Sequence, residues 1–281
     1  MLPATPLRTL FHATAVRGES RTACELLAEG TGLPKLRVKD AMRKGAVWLK
    51  RAGAGEQRLR RAQARPRTGD RLSIYFDAEL LARVPPAAEC LHDAGRFSVW
   101  FKPAGLMTQG TRFGDHCSLL RQAELSMRPD RQAFPVHRLD REASGLVLVA
   151  HDRGAAAALS RLFAGRRILK RYRVELRGQI LPAAGRIELP LDGKPAVTDY
   201  VRRAYDPAAD VSVVDAVMQT GRKHQIRRHF ALAGVPVMGD PLYGRKNKNA
   251  AGLKLCAWGI EFTDPFTGKP ASFEVPAEFA D

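Results

Sequence analysis

The sequence has few cysteines, and none of them is arranged to bind a metal. Its four cysteines, Cys24, Cys90, Cys117 and Cys256, lie at least 27 residues apart. Structural zinc sites and redox pairs need ligands only a few residues apart. His224 and His229 are five residues apart, but no third ligand lies near them. We therefore expect neither a structural metal nor a disulfide framework.

Glycine-rich phosphate loops and long hydrophobic runs are also missing. No Gly-x-Gly-x-x-Gly and no Gly-Lys-Ser/Thr occurs anywhere in the 281 residues. No stretch approaches the roughly 20 apolar residues of a membrane-spanning helix. These absences exclude the common nucleotide-cofactor motifs and a helical membrane span. We expect a cytoplasmic protein that needs no cofactor and has no membrane partner.

Acidic residues are scarce relative to basic ones. The chain has 46 Lys and Arg against 29 Asp and Glu, a formal net charge of +17. Residues 35–71 alone carry thirteen basic residues and three acidic ones. Such a density is typical of surfaces that bind phosphates, although a solvated arginine-rich surface would also improve solubility. The composition therefore favours a nucleic-acid partner.

The basic region has the pattern of two helices followed by strands. Val38, Ala41 and Met42 give the second helix an apolar side, and Gly45 ends it. Residues 46–50 and 71–76 alternate like strands, the latter after a Gly-Asp turn. This pattern resembles the small RNA-binding domain named after a ribosomal small-subunit protein, although the insert at 51–67 is longer than usual. The resemblance implies phosphate contacts on the second helix, from Lys39, Arg43 and Lys44.

The chain is predicted to form two domains. Residues 1–84 would form the basic RNA-binding domain, and residues 85–95, which begin with Pro85-Pro86, would form a linker. Residues 96–281 would form the larger domain. The N-terminal segment could also fold only when RNA is bound.

The larger domain places polar residues in loops beside buried strands. Residues 136–145 are mostly polar and precede the apolar run 146–150. Residues 170–177 alternate, with Tyr172 on the apolar side. A helix with Ile226 and Phe230 four residues apart begins just after Arg222, Lys223 and His224. Cations are disfavoured at a helix N-terminus, so we expect a carboxylate or an RNA phosphate to lie near them.

Four stretches resemble RluA-type pseudouridine synthases in the same order along the chain. Their positions are Lys102-Pro103-Ala104-Gly105, His137-Arg138-Leu139-Asp140 with Ser144-Gly145-Leu146, Lys170-Arg171-Tyr172, and residues 219–244 with Thr220-Gly221-Arg222 and His224-Gln225-Ile226-Arg227. The resemblance extends from about Phe97 to Phe279. Ala143 stands where the family usually has Thr, and Cys256 and Thr263 lie in a stretch where His is common. These departures concern substrate fit more than activity.

The resemblance implies an isomerase that converts uridine to pseudouridine in RNA. The family reaction detaches uracil from its ribose and rejoins it through carbon 5, without a metal or a cofactor. By resemblance Asp140 is the catalytic carboxylate, Arg222 is its ion-pair partner, and Tyr172 stacks on the target uracil. Which atom Asp140 attacks stays open.

The resemblance also implies contacts with RNA around the site. Arg138 would fill the space that a flipped nucleotide vacates, and His137 would contact RNA or order its loop. Lys102, Arg227 and Arg228 are candidates for phosphate contacts.

The resemblance predicts an α+β fold whose central, mixed but largely antiparallel sheet carries the active cleft, with a small α/β domain before it. The protein would act as a monomer on rRNA or, less favoured, tRNA. A non-catalytic RNA-binding or ribosome-assembly factor on the same fold is the main alternative. A basic nucleoside hydrolase is another, but it would leave the N-terminal charge without a purpose.

Overall fold

The computed structural model describes residues 9–17, 21–244 and 251–279, which form two compact units. The smaller unit comprises Met1–Pro85 and Gln109–Arg121, and the larger unit comprises Pro86–Thr108 and Gln122–Asp281. The chain thus leaves the larger unit once and returns to it. No helix in the described part of the chain combines the length and hydropathy that crossing a bilayer requires.

The smaller unit packs helices against one face of a four-stranded antiparallel sheet in the order β1-β4-β2-β3. Its elements are β1 (Thr9–Ala15), α1 (Ala23–Thr31), α2 (Lys35–Arg43), β2 (Val47–Lys50), β3 (Glu56–Arg58), β4 (Arg71–Asp77) and α3 (Ala78–Ala82). Thr22 and Glu25 form a capping box that starts α1, and Gly45 has a φ of 80° after α2. The core includes Leu27, Met42 and Ile74. The two helices and the strands at 46–50 and 71–76 therefore lie close to where the sequence pattern predicts them.

Residues 109–121 belong to the smaller unit although the sequence pattern assigns them to the second domain. The Asp115 N–H donates to Lys44 O at 2.9 Å, and the Asp115 carboxylate pairs with Arg58 and Arg60. The Trp48 indole N–H donates to Arg112 O at 3.0 Å. Ion pairs between residues more than fifty positions apart decide this placement, and no local pattern reports them.

The larger unit is built on a ten-stranded mixed sheet. Its main path is β10-β11-β12-β9-β13-β8-β6-β5, with β14 beside β13 and β7 beside β8. The strands are β5 (Glu89–Asp93), β6 (Phe97–Lys102), β7 (Phe134–Pro135), β8 (Ser144–Ala150), β9 (Leu169–Arg177), β10 (Ala184–Glu188), β11 (Val197–Asp206), β12 (Val211–Met218), β13 (Leu255–Thr263) and β14 (Pro270–Glu274). The helices are α4 (Leu119–Ser126), which begins in the smaller unit, α5 (Arg153–Ala164) and α6 (Gln225–Leu232), and a short 3-10 turn spans Ala277–Phe279.

The β8–β13 pair is parallel and every other pair in the larger sheet is antiparallel. The predicted α+β fold with a mixed, largely antiparallel central sheet is therefore confirmed. Gly145 allows the parallel contact, since a Cβ at this position would lie 2.4 Å from Ala257 O and its φ is 119°. The close approach fixes the first residues of β8, which directly follow the polar loop around Asp140.

The segment predicted as a linker, residues 85–95, contains an ordered strand. Residues 89–93 form β5, which pairs with β6 at the edge of the larger sheet. Four of its five residues are exposed, so this edge strand lacks the alternation of apolar side chains that identifies a strand from sequence.

Candidate active site

A cleft of about 730 Å³ opens in the larger unit beside Asp140. Its lining comes from the loop before β8, the end of α5, strand β9 and the segment that connects β12 to α6. Asp140 is the one carboxylate among the described residues that line it, whereas Arg138, Arg166, Lys170, Arg222 and Lys223 are cations. The cleft therefore combines a single acid with a strongly basic wall.

The loop that carries Asp140 is held by hydrogen bonds on both sides. Thr108 Oγ1 donates to Leu139 O at 3.0 Å and accepts from Leu139 N–H at 3.1 Å. His137 Nε2 accepts from Leu148 N–H at 2.9 Å, and the His137 ring stacks on Phe163. Burial, with a smaller effect of Lys170, lowers the pKa of His137 to about 3, so the ring is neutral and can accept this bond. This hydrogen bond ties His137 to β8, and a contact of His137 with RNA stays a prediction.

Lys102 lies inside the protein and is not a phosphate contact, which corrects the sequence-based prediction. It is fully buried, and its ammonium donates to Ala143 O at 2.6 Å, Leu106 O at 2.8 Å and Pro103 O at 3.0 Å. Burial lowers the pKa of Lys102 to about 7, opposed by the nearby Glu142 and Asp140. Lys102 thus ties the turn after β6 to the loop that follows Asp140.

Asp140 is paired with a buried arginine from helix α6. Arg227 Nη1 lies 2.9 Å from Asp140 Oδ2, and Arg227 Nε lies 2.7 Å from Asp240 Oδ2. Asp240 is itself fully buried and also accepts from the Leu242 and Tyr243 N–H groups. Burial alone lowers the pKa of Arg227, but hydrogen bonds and attraction from Asp240 and Asp140 outweigh burial and raise it. The guanidinium is therefore permanently charged and orients one oxygen of Asp140.

This geometry corrects two sequence-based assignments. The ion-pair partner of Asp140 is Arg227, not Arg222, whose Nε donates to Pro195 O at 3.0 Å while its side chain lines the cleft. The Arg227 side chain is 1% exposed and so is not a phosphate contact. Arg222 precedes α6 in an irregular turn, whereas Arg227 lies on the buried side of α6 with Ile226 and Phe230. The place of Arg227 on that apolar side of the helix is the feature of the sequence that indicates a buried arginine.

His224, for which the sequence predicts a nearby carboxylate or phosphate but no catalytic role, lies beside Asp140. Its Nε2 lies 3.6 Å from Asp140 Oδ1, and its Nδ1 lies 2.9 Å from the Tyr243 hydroxyl. Burial lowers the pKa of His224, opposed by Asp140 and assisted by Arg227 and Lys223. A neutral His224 therefore faces the second oxygen of Asp140. Its left-handed φ of 52° immediately before α6 brings the ring into the cleft.

Tyr172 lies on β9 opposite Ala216 of β12 and lines the same cleft as Asp140. It is 6% exposed, and burial together with the charge of Asp140 raises its pKa, so the hydroxyl stays protonated. The tyrosine therefore offers the cleft an aromatic surface and not an acid–base group. Asp140 and Tyr172 line one cleft, and their catalytic roles stay predictions.

The remaining predicted RNA contacts differ in how available they are. Arg138 is exposed at the cleft and pairs with no described residue. Arg228 forms two hydrogen bonds with Asp192, at 2.8 and 3.0 Å, so RNA would have to compete for it. In the smaller unit Lys39 and Arg43 are exposed and Lys44 is partly buried, and Asp40 pairs with both Arg43, at 3.3 Å, and Lys44, at 2.9 Å. The RNA contacts of all five residues stay predictions.

His229 is occupied by protein groups. Its two ring nitrogens hydrogen bond with Thr198 Oγ1 and with Leu189 O. Among residues 9–17, 21–244 and 251–279, no cluster of three or more His, Cys, Asp or Glu side chains could hold a metal ion.

Comparison with known proteins assigns the family. A model of the RNA pseudouridylate synthase family matches residues 96–232. The chain is 31% identical over 221 residues to the Bacillus subtilis protein described as uncharacterized RNA pseudouridine synthase YlyB, covering 73% of this chain and 69% of that one. It is 34% identical over 198 residues to the dual-specificity RNA pseudouridine synthase RluA of Escherichia coli, covering 63% and 88%.

Solved structures show the same fold. Human RNA pseudouridylate synthase domain containing 1 matches with a TM-score of 0.59 at 25% identity, covering 71% of this chain and 89% of that one. Human RNA pseudouridylate synthase domain containing 4 matches with a TM-score of 0.56 at 22% identity, covering 68% and 89%. The chain belongs to the RNA pseudouridine synthase family. The protein is an isomerase that modifies uridine in RNA.

Proposed function

We propose that this enzyme isomerises specific uridines in structured RNA with Asp140 as its catalytic carboxylate. The observation that carries the proposal is the position of Asp140, the sole carboxylate among the described residues lining the cleft, against the buried Arg227. A carboxylate that a bound base covers stays ionised only if a cation compensates for lost water. Arg227 supplies that cation without leaving the protein interior.

The reaction changes bonds but not composition. The bond between C1′ and N1 of uracil breaks, the base turns, and a bond forms between C1′ and C5. The C5 hydrogen leaves as a proton, and N1 takes up a proton. Asp140 can act as the nucleophile, on the base or on the sugar, and a carboxylate can also accept the C5 proton. No redox step is required.

The target base has to leave its stack to reach Asp140. The cleft is walled by Tyr172 and Met218, which suit the face of a flipped uracil. Arg138 is exposed at the cleft, next to Leu139 and Asp140, and can occupy the space that the flipped nucleotide leaves. Arg222 and Lys223 add positive charge to the lining of the cleft, where phosphates of the same strand can bind.

We propose rRNA as the substrate, with tRNA as the second candidate. The chain's relatives include a protein named as a dual-specificity RNA pseudouridine synthase and one of Neisseria meningitidis named as ribosomal large subunit pseudouridine synthase D. The exposed Lys39 and Arg43 of α2 support additional phosphate binding by the smaller unit, which we propose to be an RNA-binding domain. We also include in this proposal a monomeric enzyme that acts in the cytoplasm.

The test is a transcriptome-wide map of pseudouridine in cells that lack the gene. The cells are complemented with the wild type or with Asp140→Asn, which keeps the size of the side chain but removes its negative charge. We expect a few uridines to lose modification and only the wild type to restore them. On purified RNA the variant should be slower by about 10⁴-fold, as for other lost catalytic carboxylates.

Two outcomes would contradict the proposal. If Asp140→Asn restores the sites, another group carries the chemistry. If no site changes in any RNA, the protein acts as an RNA-binding or ribosome-assembly factor. Circular dichroism of both proteins controls for unfolding.

A further inference from the structure

A second groove of about 520 Å³ continues from the catalytic cleft. Arg166, Lys170, Met218 and Gln219 line both cavities, so the two spaces adjoin. The groove runs between the connection from α5 to β9 and the hairpin of β13 and β14. Its size lies in the range of ligand-binding pockets. A strand of RNA whose target uridine occupies the cleft could therefore extend directly into this groove.

One wall of the groove is positively charged. Arg166 and Arg167 are exposed and Lys170 is half-buried. Their side chains form no ion pair and donate no hydrogen bond to any described residue, including the carbonyls that end α5. The acidic residue of the lining, Glu261, lies 2.7 Å from Arg171 and is already paired. The groove thus has a surplus of unpaired cations.

Lys170 is the most informative of the three cations. Burial, with repulsion from Arg166, lowers the pKa of its ammonium. Lys102 shows the other way to bury a lysine, because three nearby carbonyls accept its protons. Lys170 has no such acceptors among the described residues, so a bound anion would supply what the fold leaves out.

The position of Lys170 relates it to the target base. Lys170 and Tyr172 are two residues apart on β9 and so point to the same face, roughly 7 Å apart along the strand. This spacing is comparable to one nucleotide step in an extended strand. The lining of the groove also includes Pro270 and Ala271 of β14, which offer an apolar surface to a sugar or a base.

We propose that this groove binds the RNA strand next to the target uridine, with Lys170 on the neighbouring phosphate and Arg166 and Arg167 on the phosphates beyond it. The inference rests on the proposed function, because it takes the uridine to lie between Asp140 and Tyr172. In this proposal Lys170 binds the sugar-phosphate backbone of the substrate. It favours RNA whose strand can run from the cleft into the groove.

The experiment measures binding of a fluorescent oligouridylate of about 12 nucleotides, a typical site size for single strands, at a series of salt concentrations. The slope of log affinity against log salt is negative, and each lost phosphate contact to single-stranded nucleic acid reduces its magnitude by about 0.7. Lys170→Met should flatten the slope by about that amount, and Lys170→Arg should restore it. Arg153→Met is the matched control, since Arg153 is exposed at the other end of α5 and lies outside both cavities.

An unchanged slope for a folded Lys170→Met would overturn the inference, as would an equal loss in Arg153→Met. If Lys170→Met does not fold, the double variant Arg166→Gln and Arg167→Gln replaces it, because both side chains are exposed. That variant should flatten the slope by about 1.4, and an unchanged slope sinks the inference. The pseudouridine map tests the proposed function separately from the groove. If the wild type modifies RNA but the slope stays unchanged in the variants, only the inference about the groove is overturned. If the slope flattens but no uridine is modified, only the proposed function is overturned.

Discussion

The region around the active cleft of the larger unit and helix α2 of the smaller unit use lysine and arginine in opposite ways. In the larger unit, Arg227 and Lys102 are buried in the interior and hold parts of the protein in place. On α2, Lys39 is exposed and pairs with no described residue, and Arg43 is exposed although it pairs with Asp40 at 3.3 Å. Arg58 and Arg60 of the smaller unit form ion pairs with Asp115. A basic sequence therefore overstates the charge that RNA can use.

The comparison of Arg227 with Arg222 carries the largest expected effect. Arg227→Met would leave Asp140 and Asp240 without their cation, which costs about 3–5 kcal/mol of folding free energy for a buried pair. We expect pseudouridine formation to fall by about 10³-fold or more. Arg222→Met removes a side chain that lines the cleft without touching Asp140, so we expect about a 10-fold loss and an unchanged melting temperature.

Both variants are measured by single-turnover kinetics and by thermal unfolding. Arg227→Lys keeps the charge but loses the two-sided contact, and it should fall between Arg227→Met and the wild type. A larger loss for Arg222→Met than for Arg227→Met would reverse the assignment.

The variant Lys102→Met tests whether Lys102 supports the fold or contacts a phosphate. Lys102→Met would leave the carbonyls of Pro103, Leu106 and Ala143 without their donor. We expect a loss of about 2–4 kcal/mol in folding free energy, because buried carbonyls without a donor each cost about 1–3 kcal/mol and partial relaxation recovers some of it. Turnover should fall as the loop of Asp140 loosens. The salt dependence of RNA binding should stay that of the wild type, and a flatter slope would show instead that Lys102 reaches a phosphate.

His137 should make the larger unit sensitive to acid. The pKa of His137 is about 3 in the folded protein and about 6.5 when unfolded, so between these values the unfolded chain binds more protons. Its contribution is complete above pH of about 6.5 and is lost as the pH falls towards 3, by up to about 1.4 kcal/mol per pH unit.

The measurement compares urea unfolding of the wild type and His137→Gln from neutral to acidic pH. The Gln side chain can still accept from Leu148 N–H but does not titrate. The two curves should converge as the pH falls, and parallel curves would mean that His137 titrates normally in the folded protein.

Helix α2 should show the smallest effect. Replacing Lys39 and Arg43 with Ala should flatten the salt dependence of RNA binding by about 0.7–0.9 per residue and leave the rate at saturating RNA unchanged. Arg60→Met is the control, because Arg60 is paired with Asp115 and should affect stability and not the slope. Equal slopes in all three proteins would argue against an RNA-binding role for α2.

Several local features could be predicted from the sequence because they depend on neighbours along the chain. The alternation in 170–177 places Tyr172 on the inner face of β9, and the polar stretch before the apolar run 146–150 places Asp140 in the loop that leads into β8. The turns and apolar positions of α2, β2 and β4 also follow local rules. Strand β1 was not predicted, since its pairing with β4 joins residues about sixty positions apart.

The sequence alone determined the family and, through the family resemblance, the mixed sheet, because motifs are written in consecutive residues. The catalytic roles that the motifs imply for Asp140 and Tyr172 stay predictions. Only the tertiary structure decided which cations serve RNA and which serve the fold. Arg227 meets Asp140 from 87 positions away, and Lys102 meets Ala143 from 41 positions away. A lysine or arginine can be buried only where folding brings carboxylates or carbonyls to it, and that condition is set by distances in space.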